Sequence, residues 1–455
     1  MKTEQSRNAL FTTDPVQRAV ISLAVPTVIS QIITVIYNMA DTFFIGQLGD
    51  PNQVAAATLA MPLFMFLTAL ANLFGIGGAS FISRCLGAGN REKARSTASF
   101  CIWGAAAAAF CFGTGVTLLR GVLLPLFGAD AETFSHCASY VFWTIGLGAV
   151  PTVLNATLAH LIRAEGYSAQ ASFGVALGGI LNILIDPVFI FLFRMEIAGA
   201  AIATMLSNVA AMIYFRLFLY RIRKQTVITP SPRCLTLKQG IPGEVLAVGF
   251  PSCVISVMGT LSNLTLNRII AGYSNEAVAG MGIAKKIDLL AFAIAQGMTQ
   301  GTLPLIGYNY SSGNRKRMLA ALKTLLVDCL AVAFAGMALM FFGAGPMTRC
   351  FISDGTTVEY GRNFLRIVCL ACPTTALNFL VITLFQATGK KLQPLILSLL
   401  RKGGLDIPLM LLFNARLGVS GIAWATPLAD GLALVVSAAL VLPYLRTLRK
   451  EARGA

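Results

Sequence analysis

Charge is scarce in this sequence: Asp, Glu, Lys and Arg make up 12% of its 455 residues, against 56% hydrophobic positions. Soluble domains carry roughly 25% charged residues, so this chain cannot be dissolved by its own surface. Histidine is scarcer still, with only His136 and His160. Both fall near the ends of apolar blocks with no partner motif, and no metalloprotease helix, nucleotide-phosphate loop or serine elbow is visible. Catalysis has nothing obvious to work with; neither an enzyme nor a cofactor is expected. The ten cysteines are scattered singly through apolar segments, and Cys369 and Cys372, the one close pair, sit a helical turn apart inside an apolar block. Cysteine behaves there as a small hydrophobe, which sets aside disulfide and metal-cluster frameworks. No small-residue cleavage signature follows the first apolar block, which runs to about Ile45. A retained first span is therefore expected rather than a removable signal peptide.

What the chain has in abundance is apolar blocks of 20 or more residues. Each is long enough to cross a hydrocarbon core of about 30 Å as helix. Spans are expected near 20–45, 55–83, 96–119, 136–161, 170–193 and 197–220, then 245–272, 278–307, 319–342, 361–387, 394–415 and 419–444. The net charge of +16 lies mostly between the blocks, on alternate connections: Arg84, Arg91, Lys93 and Arg95 after span 2, Arg221, Arg223 and Lys224 after span 6, Arg315 to Arg317 after span 8. That alternation is a topology signal rather than a nucleic-acid footprint, and it predicts cytoplasmic termini.

The chain repeats itself at an offset of roughly 221 to 225 positions. Pro26 faces Pro251, Gly89-Asn90-Arg91 faces Gly313-Asn314-Arg315, Pro151-to-Asn155 resembles Pro373-to-Asn378, and Gly199-to-Thr204 faces Gly421-to-Thr426. The predicted fold is all-α and membrane-integral, with twelve transmembrane helices in two homologous six-helix lobes around a central cavity. The lobes are predicted at 1–220 and 245–455, joined by a cytoplasmic linker at 221–244. Six spans per lobe is even, so the lobes share one orientation and can rock about an axis along the membrane normal. In the Gly-Asn-Arg motifs, Gly is predicted to end one helix in left-handed conformation and Asn to cap the next.

Ionisable groups inside apolar spans are functional candidates by default, because each costs a few kcal/mol to bury in lipid. Asp41, Asp186 and Asp406 pass this test best. Asp186 lies four residues after Asn182, which puts amide and carboxylate on one helical face, and Pro187 weakens the helix beside them. Thr204, in a small-residue stripe of span 6, can add a hydroxyl. Asp41 has an apolar counterpart, Leu266, in the second half. Asp288 is predicted to pair with Lys285 or Lys286, and Asp430 to be solvated in a cavity. Arg268, Arg362 and Arg366 lie near outer span ends, and no dense basic cluster is expected mid-span.

These residues resemble the multidrug and toxic compound extrusion (MATE) family, part of a MOP-flippase-like group. The likeness is carried by VPTVISQIITVIYNMADTFFIGQLG, GGASFISRCLGAGNREKA, NILIDPVFIF and QGTLPLIGYNYSSGNRKR, in order along nearly the whole chain. The resemblance, closest to a DinF-like branch, implies two lobes in a V and broad, amphipathic, often cationic small-molecule substrates. It implies a Na⁺ or H⁺ coupling site at Asp41, Asn182, Asp186 and Thr204, with Na⁺ held by those four residues if sodium is the ion. Tyr37, Tyr140 and Asn155 are implied as lining. A NorM-like branch places acids in spans 7 and 10, where this chain has Asn263, Asn267 and no interior acid. An ion-coupled exporter in the inner (plasma) membrane, acting as a monomer, is the expected function. A lipid-linked oligosaccharide flippase, which needs a basic cavity, is the alternative.

Overall fold

The computed structural model describes residues 4–454, and they are almost wholly helical. A short helix α1 (Glu4–Thr12) precedes α2 (Val16–Gly46), α3 (Pro51–Gly87), α4 (Arg91–Leu126), α5 (Phe134–Val141), α6 (Ala149–Ala164), α7 (Ser168–Pro187) and α8 (Glu196–Arg221). The second half holds α9 (Ile241–Ile270), α10 (Asn275–Ser311), α11 (Arg315–Arg349), α12 (Gly355–Val368), α13 (Cys372–Ala387), α14 (Leu392–Leu399), α15 (Ile407–Leu417) and α16 (Val419–Gly454). After α1, these make twelve rods in the described residues, because α5–α6, α12–α13 and α14–α15 are each one interrupted rod. Nine helices among the described residues are long and apolar enough to span a membrane, or ten with the bent α5–α6 pair. Their outer faces carry large apolar side chains such as Phe110, Leu118, Phe342 and Val435, as lipid requires.

Local chemistry explains where the rods start and break. Asn90 Oδ1 accepts from Lys93 N at 2.9 Å, and Asn314 Oδ1 from Arg317 N at 3.0 Å. Each follows a left-handed glycine, Gly89 (φ +75°) or Gly313 (φ +79°), so the predicted turn-and-cap reading holds in both halves. Three rods widen into π-helix: Phe142–Leu147, Val188–Leu192 directly after Pro187, and Leu400–Asp406 ahead of Pro408. Proline removes a backbone donor, and the extra residue per turn accommodates the loss.

The α2–α8 helices pack on one another, α9–α16 do likewise, and the two groups meet chiefly through α3 against α9 and α2 against α10. These two contacts are equivalent under the repeat. Both are glycine seams: a Cβ at Gly249 would lie 1.8 Å from the Leu73 carbonyl oxygen, one at Gly77 2.1 Å from Val245 O, and one at Gly301 2.7 Å from Leu23 O. Small residues let backbones touch where lipid gives no hydrophobic drive. All these approaches fall in the halves of the rods that end at the basic loops, so the lobes close at that basic end and diverge from it as a V. Gly249→Ala is expected to lower stability by about 3 kcal/mol, the upper end for overpacking, since a backbone carbonyl cannot move aside. Gly259→Ala, with nothing within 4 Å, is expected to melt at or above the wild-type temperature. Thermal unfolding in detergent checks this; equal melting of the two variants would overturn the seam.

Two further pieces tie the basic end. The linker is not a free connector: Glu165 accepts from Val227 N (2.6 Å) and Thr226 Oγ1 (2.5 Å), and Pro230 O accepts from Trp103 Nε1 at 2.9 Å. It lies strapped onto the first lobe, and α9 starts at Ile241 rather than 245. Helix α1 buries Leu10 and Phe11, and the Phe11 ring stacks on Tyr308 with centroids 5.0 Å apart. Phe11 O accepts from Asn309 Nδ2 (3.1 Å) and Arg317 Nε (2.8 Å), and Leu10 O from Arg317 Nη2 (3.1 Å). On its other side Phe11 abuts Gly166 of the first lobe, where a Cβ would lie 2.9 Å from the ring.

Candidate functional site

Helices α2, α7 and α8 bring polar side chains together inside the first lobe. Asn182 Nδ2 donates to Asp186 Oδ1 at 3.0 Å, the contact that their spacing of four on α7 anticipates, and lies 3.3 Å from Thr204 Oγ1 on α8. Asp186 is fully buried, Asn182 and Thr204 nearly so. Asp41, near the far end of α2, is partly buried with its Oδ1 shielded from solvent, and it lies within electrostatic reach of Asp186. Tyr37, one turn back on α2, and Tyr140 on α5 lie within electrostatic reach of both carboxylates. Glycine makes the room: a Cβ at Gly179 would lie 2.9 Å from the Tyr37 ring.

Asn155 joins one step away. Its Nδ2 donates to Asn208 Oδ1 at 2.9 Å, and Asn208 Nδ2 donates to Thr204 O at 2.9 Å. Asn208 is a member that sequence reasoning missed, although its place one turn beyond Thr204 was a legible signal. The broken end of α7 is held against α8 by Gly199, whose Cβ would lie 2.8 Å from the Phe189 carbonyl carbon.

The distinguishing property is unused acceptor capacity. Asp41 Oδ1, Asn182 Oδ1, Asn155 Oδ1 and Asp186 Oδ2 are shielded from solvent and have no hydrogen-bond partner. Buried acceptors are normally satisfied, so several left open on neighbouring side chains of one lobe mark a place that something else can fill. Two carboxylates, two amide oxygens and a hydroxyl are hard oxygen donors suited to a small cation or a proton. No group of three His, Cys, Asp or Glu that could hold a metal ion occurs among the described residues.

The second lobe departs from expectation. Asp430 is not solvated: it is 1% exposed, receives Arg401 Nε on Oδ1 at 2.5 Å and Nη2 on Oδ2 at 2.9 Å, and also pairs with Thr375 Oγ1. Neither Lys285 nor Lys286 forms an ion pair with Asp288 among the described residues; Lys285 is near enough to act on its charge, but its Nζ lies 3.3 Å from Thr426 Oγ1. Lys402 Nζ lies 3.2 Å from Asp406 Oδ2, which also accepts from Ser262 Oγ at 2.7 Å. A basic cluster of Lys285, Arg401 and Lys402 therefore does sit mid-span, where none was expected. Interior carboxylates neutralise it, so it does not form the free basic cavity that a pyrophosphate would need.

Comparison with known proteins agrees with this architecture. The MatE family model matches residues 26–188 and 251–412, one copy in each half. The multidrug export protein MepA of Staphylococcus saprophyticus is 30% identical over 449 residues, covering 98% of this chain and 97% of that protein. MepA of Staphylococcus aureus is 29% identical over 445 residues, with 98% and 97% covered. Among solved structures, MATE in complex with MaD3S superposes with a TM-score of 0.90 at 24% identity, covering 97% of this chain and 98% of the other. An outward-facing multidrug resistance MATE transporter of the MOP superfamily superposes at 0.89, with 24% identity and 99% and 100% covered. With both halves matched by the same family model and the twelve-rod, two-lobe fold shared end to end, the chain belongs to the MATE family of membrane transporters.

Proposed function

We propose that this transporter is an ion-coupled antiporter that exports lipophilic, often cationic small molecules by alternating access, exchanging them for Na⁺ or H⁺ at Asp41, Asn182, Asp186 and Thr204. The observation that carries the reading is the partnerless Oδ2 of the fully buried Asp186 beside the partnerless Oδ1 of Asp41. A carboxylate kept out of water without a counterion is strongly unfavourable, so cation or proton uptake is the favourable response. The relatives' role in multidrug export supports the substrate class.

The cycle follows from position. The pocket lies toward the open end of the V, beside Tyr37, Tyr140 and Asn155, which line the path of cargo. An ion arriving from outside cancels one of the two carboxylate charges and weakens the attraction they offer a cationic cargo, which leaves. The lobes, 1–220 and 245–455 about the 221–244 linker, then rock to open the basic end, which faces the cytoplasm along with both termini in the cell membrane. There the ion dissociates and cargo reloads. One charge moved inward contributes about 2.3 kcal/mol per 100 mV to the cycle. No cofactor takes part, and a single chain suffices.

Efflux of a fluorescent cationic substrate from proteoliposomes, under Na⁺ and pH gradients imposed separately, tests the reading. One gradient is expected to accelerate efflux severalfold over the gradient-free rate. Identical rates under both gradients and under none would overturn coupling.

A further inference from the structure

The second lobe repeats much of the first-lobe pocket, although Asp41 has only the apolar Leu266 as its counterpart, and it has cations built in. Asp186 and Pro187 correspond to Asp406 and Pro408 (186 + 220 and 187 + 221), and Thr204 to Thr426 (204 + 222). Asn155 and Asn208 correspond to Asn378 and Asp430 (155 + 223 and 208 + 222), and Tyr37 to Ser262 (37 + 225). The same positions also meet, through different atoms: Asn378 Nδ2 donates to Asp430 O at 3.0 Å where Asn155 meets the Asn208 side chain, and Thr426 Oγ1 lies 3.3 Å from Asp406 Oδ1 where Thr204 meets Asn182. Both carboxylates stand at the edge of a π-helical stretch.

The difference lies in what completes the carboxylate. Asn182 becomes Lys402 (182 + 220), and Met61 becomes Lys285 (61 + 224). In the first lobe the residue four before the aspartate offers an amide and leaves Asp186 Oδ2 empty. In the second, that residue places an ammonium 3.2 Å from Asp406 Oδ2, Ser262 Oγ also donates to Oδ2 and Thr426 Oγ1 to Oδ1, so each Asp406 oxygen has a partner. The other charges facing Asp406 are Lys285 on α10 and Asp430 on α16, the latter already held by Arg401.

We infer that the second lobe contains a degenerate copy of the ion pocket in which the Lys402 ammonium, assisted by Lys285, is the resident cation, so that the lobe takes up no exchangeable ion. A covalently attached cation satisfies the matching carboxylate beside a helical break but cannot be released to either side. The exchangeable load per cycle is then set by the first lobe alone. This last point rests on the function proposed above; the occupancy of the second pocket does not.

The test counts cation load on the purified full chain in detergent, as radiosodium bound at equilibrium and, for the proton, as the infrared band of protonated carboxyl groups. Asp406→Asn is expected to leave both counts at the wild-type value, whereas a loss of one equivalent would overturn the inference. The double variant Lys285→Met/Lys402→Asn restores the first-lobe residues at those two positions, leaves Asp406 without its ammonium partner and is expected to gain one equivalent, removed again by adding Asp406→Asn. No gain in a double variant that stays monodisperse and still binds substrate would also overturn it. Should the double variant fail to fold, the Asp406→Asn arm decides alone. Asp186→Asn reports on the other lobe: if it leaves the wild-type load unchanged, the coupling proposal fails, while a gain in the double variant would still uphold the second-lobe assignment.

Discussion

Replacing Asp186 with asparagine is expected to abolish gradient-driven efflux while leaving a folded transporter. The side chain is fully buried on α7, and one of its two carboxylate oxygens has no partner. An amide there removes the charge that an ion must neutralise, and its NH₂ can donate to Asn182 Oδ1, which also lacks a partner. Satisfying two buried polar atoms in place of one buried charge favours the fold. The drive is what disappears. Losing one transported charge removes about 2.3 kcal/mol per 100 mV, a bias of about fifty-fold, so efflux should fall to the gradient-free rate. Asp41→Asn is expected to follow it, and Asp288→Asn, outside the pocket, to retain coupling. Proteoliposome efflux at an imposed potential makes the measurement; full gradient response in the Asp186 variant would remove the site from the mechanism.

The largest loss of stability is expected from Arg401→Ala. Its guanidinium is 2% exposed, grips both oxygens of Asp430, and lies over the Phe379 ring with Cζ 4.9 Å from the centroid. Removing it leaves Asp430 buried with only the Thr375 hydroxyl on its side chain, and breaking a buried pair from one side costs about 3–5 kcal/mol. The first lobe shows how the same position is built without charge: Leu181 stands for Arg401 (181 + 220) and Asn208 for Asp430 (208 + 222). Arg401→Leu/Asp430→Asn should therefore recover most of the loss, a coupling that a double-mutant cycle of thermal unfolding reads directly. Melting of Arg401→Ala at the wild-type temperature would contradict the pairing.

Much of this architecture was legible in the residues. Apolar blocks, alternating basic loops and the internal repeat predicted twelve rods in two lobes, because lipid demands long uninterrupted helix and duplication leaves matched punctuation. The Asn182–Asp186 contact was readable because it is local, one turn on one helix. Lys402 and Asp406 share that same spacing inside an equally apolar block, so their pairing was readable on identical grounds. Arg401–Asp430 was not readable, because 29 residues and a helix reversal separate the partners. The π-helical stretches left only their prolines as hints, and the strapping of the linker onto Glu165 joins residues 61 and 62 positions apart. Tertiary contacts of that kind carry no periodic signature.

Helix α1 bears on how the proposed cycle is timed. Its Phe11 ring is wedged between Gly166 of one lobe and Tyr308 of the other, and its last carbonyls are gripped by Arg317. Opening the basic end must pull this clasp off one jaw, and the three hydrogen bonds all lie on the second-lobe side. The clasp should travel with the second lobe and leave Gly166, uncovering the seam like a hinged flap each time the mouth gapes inward.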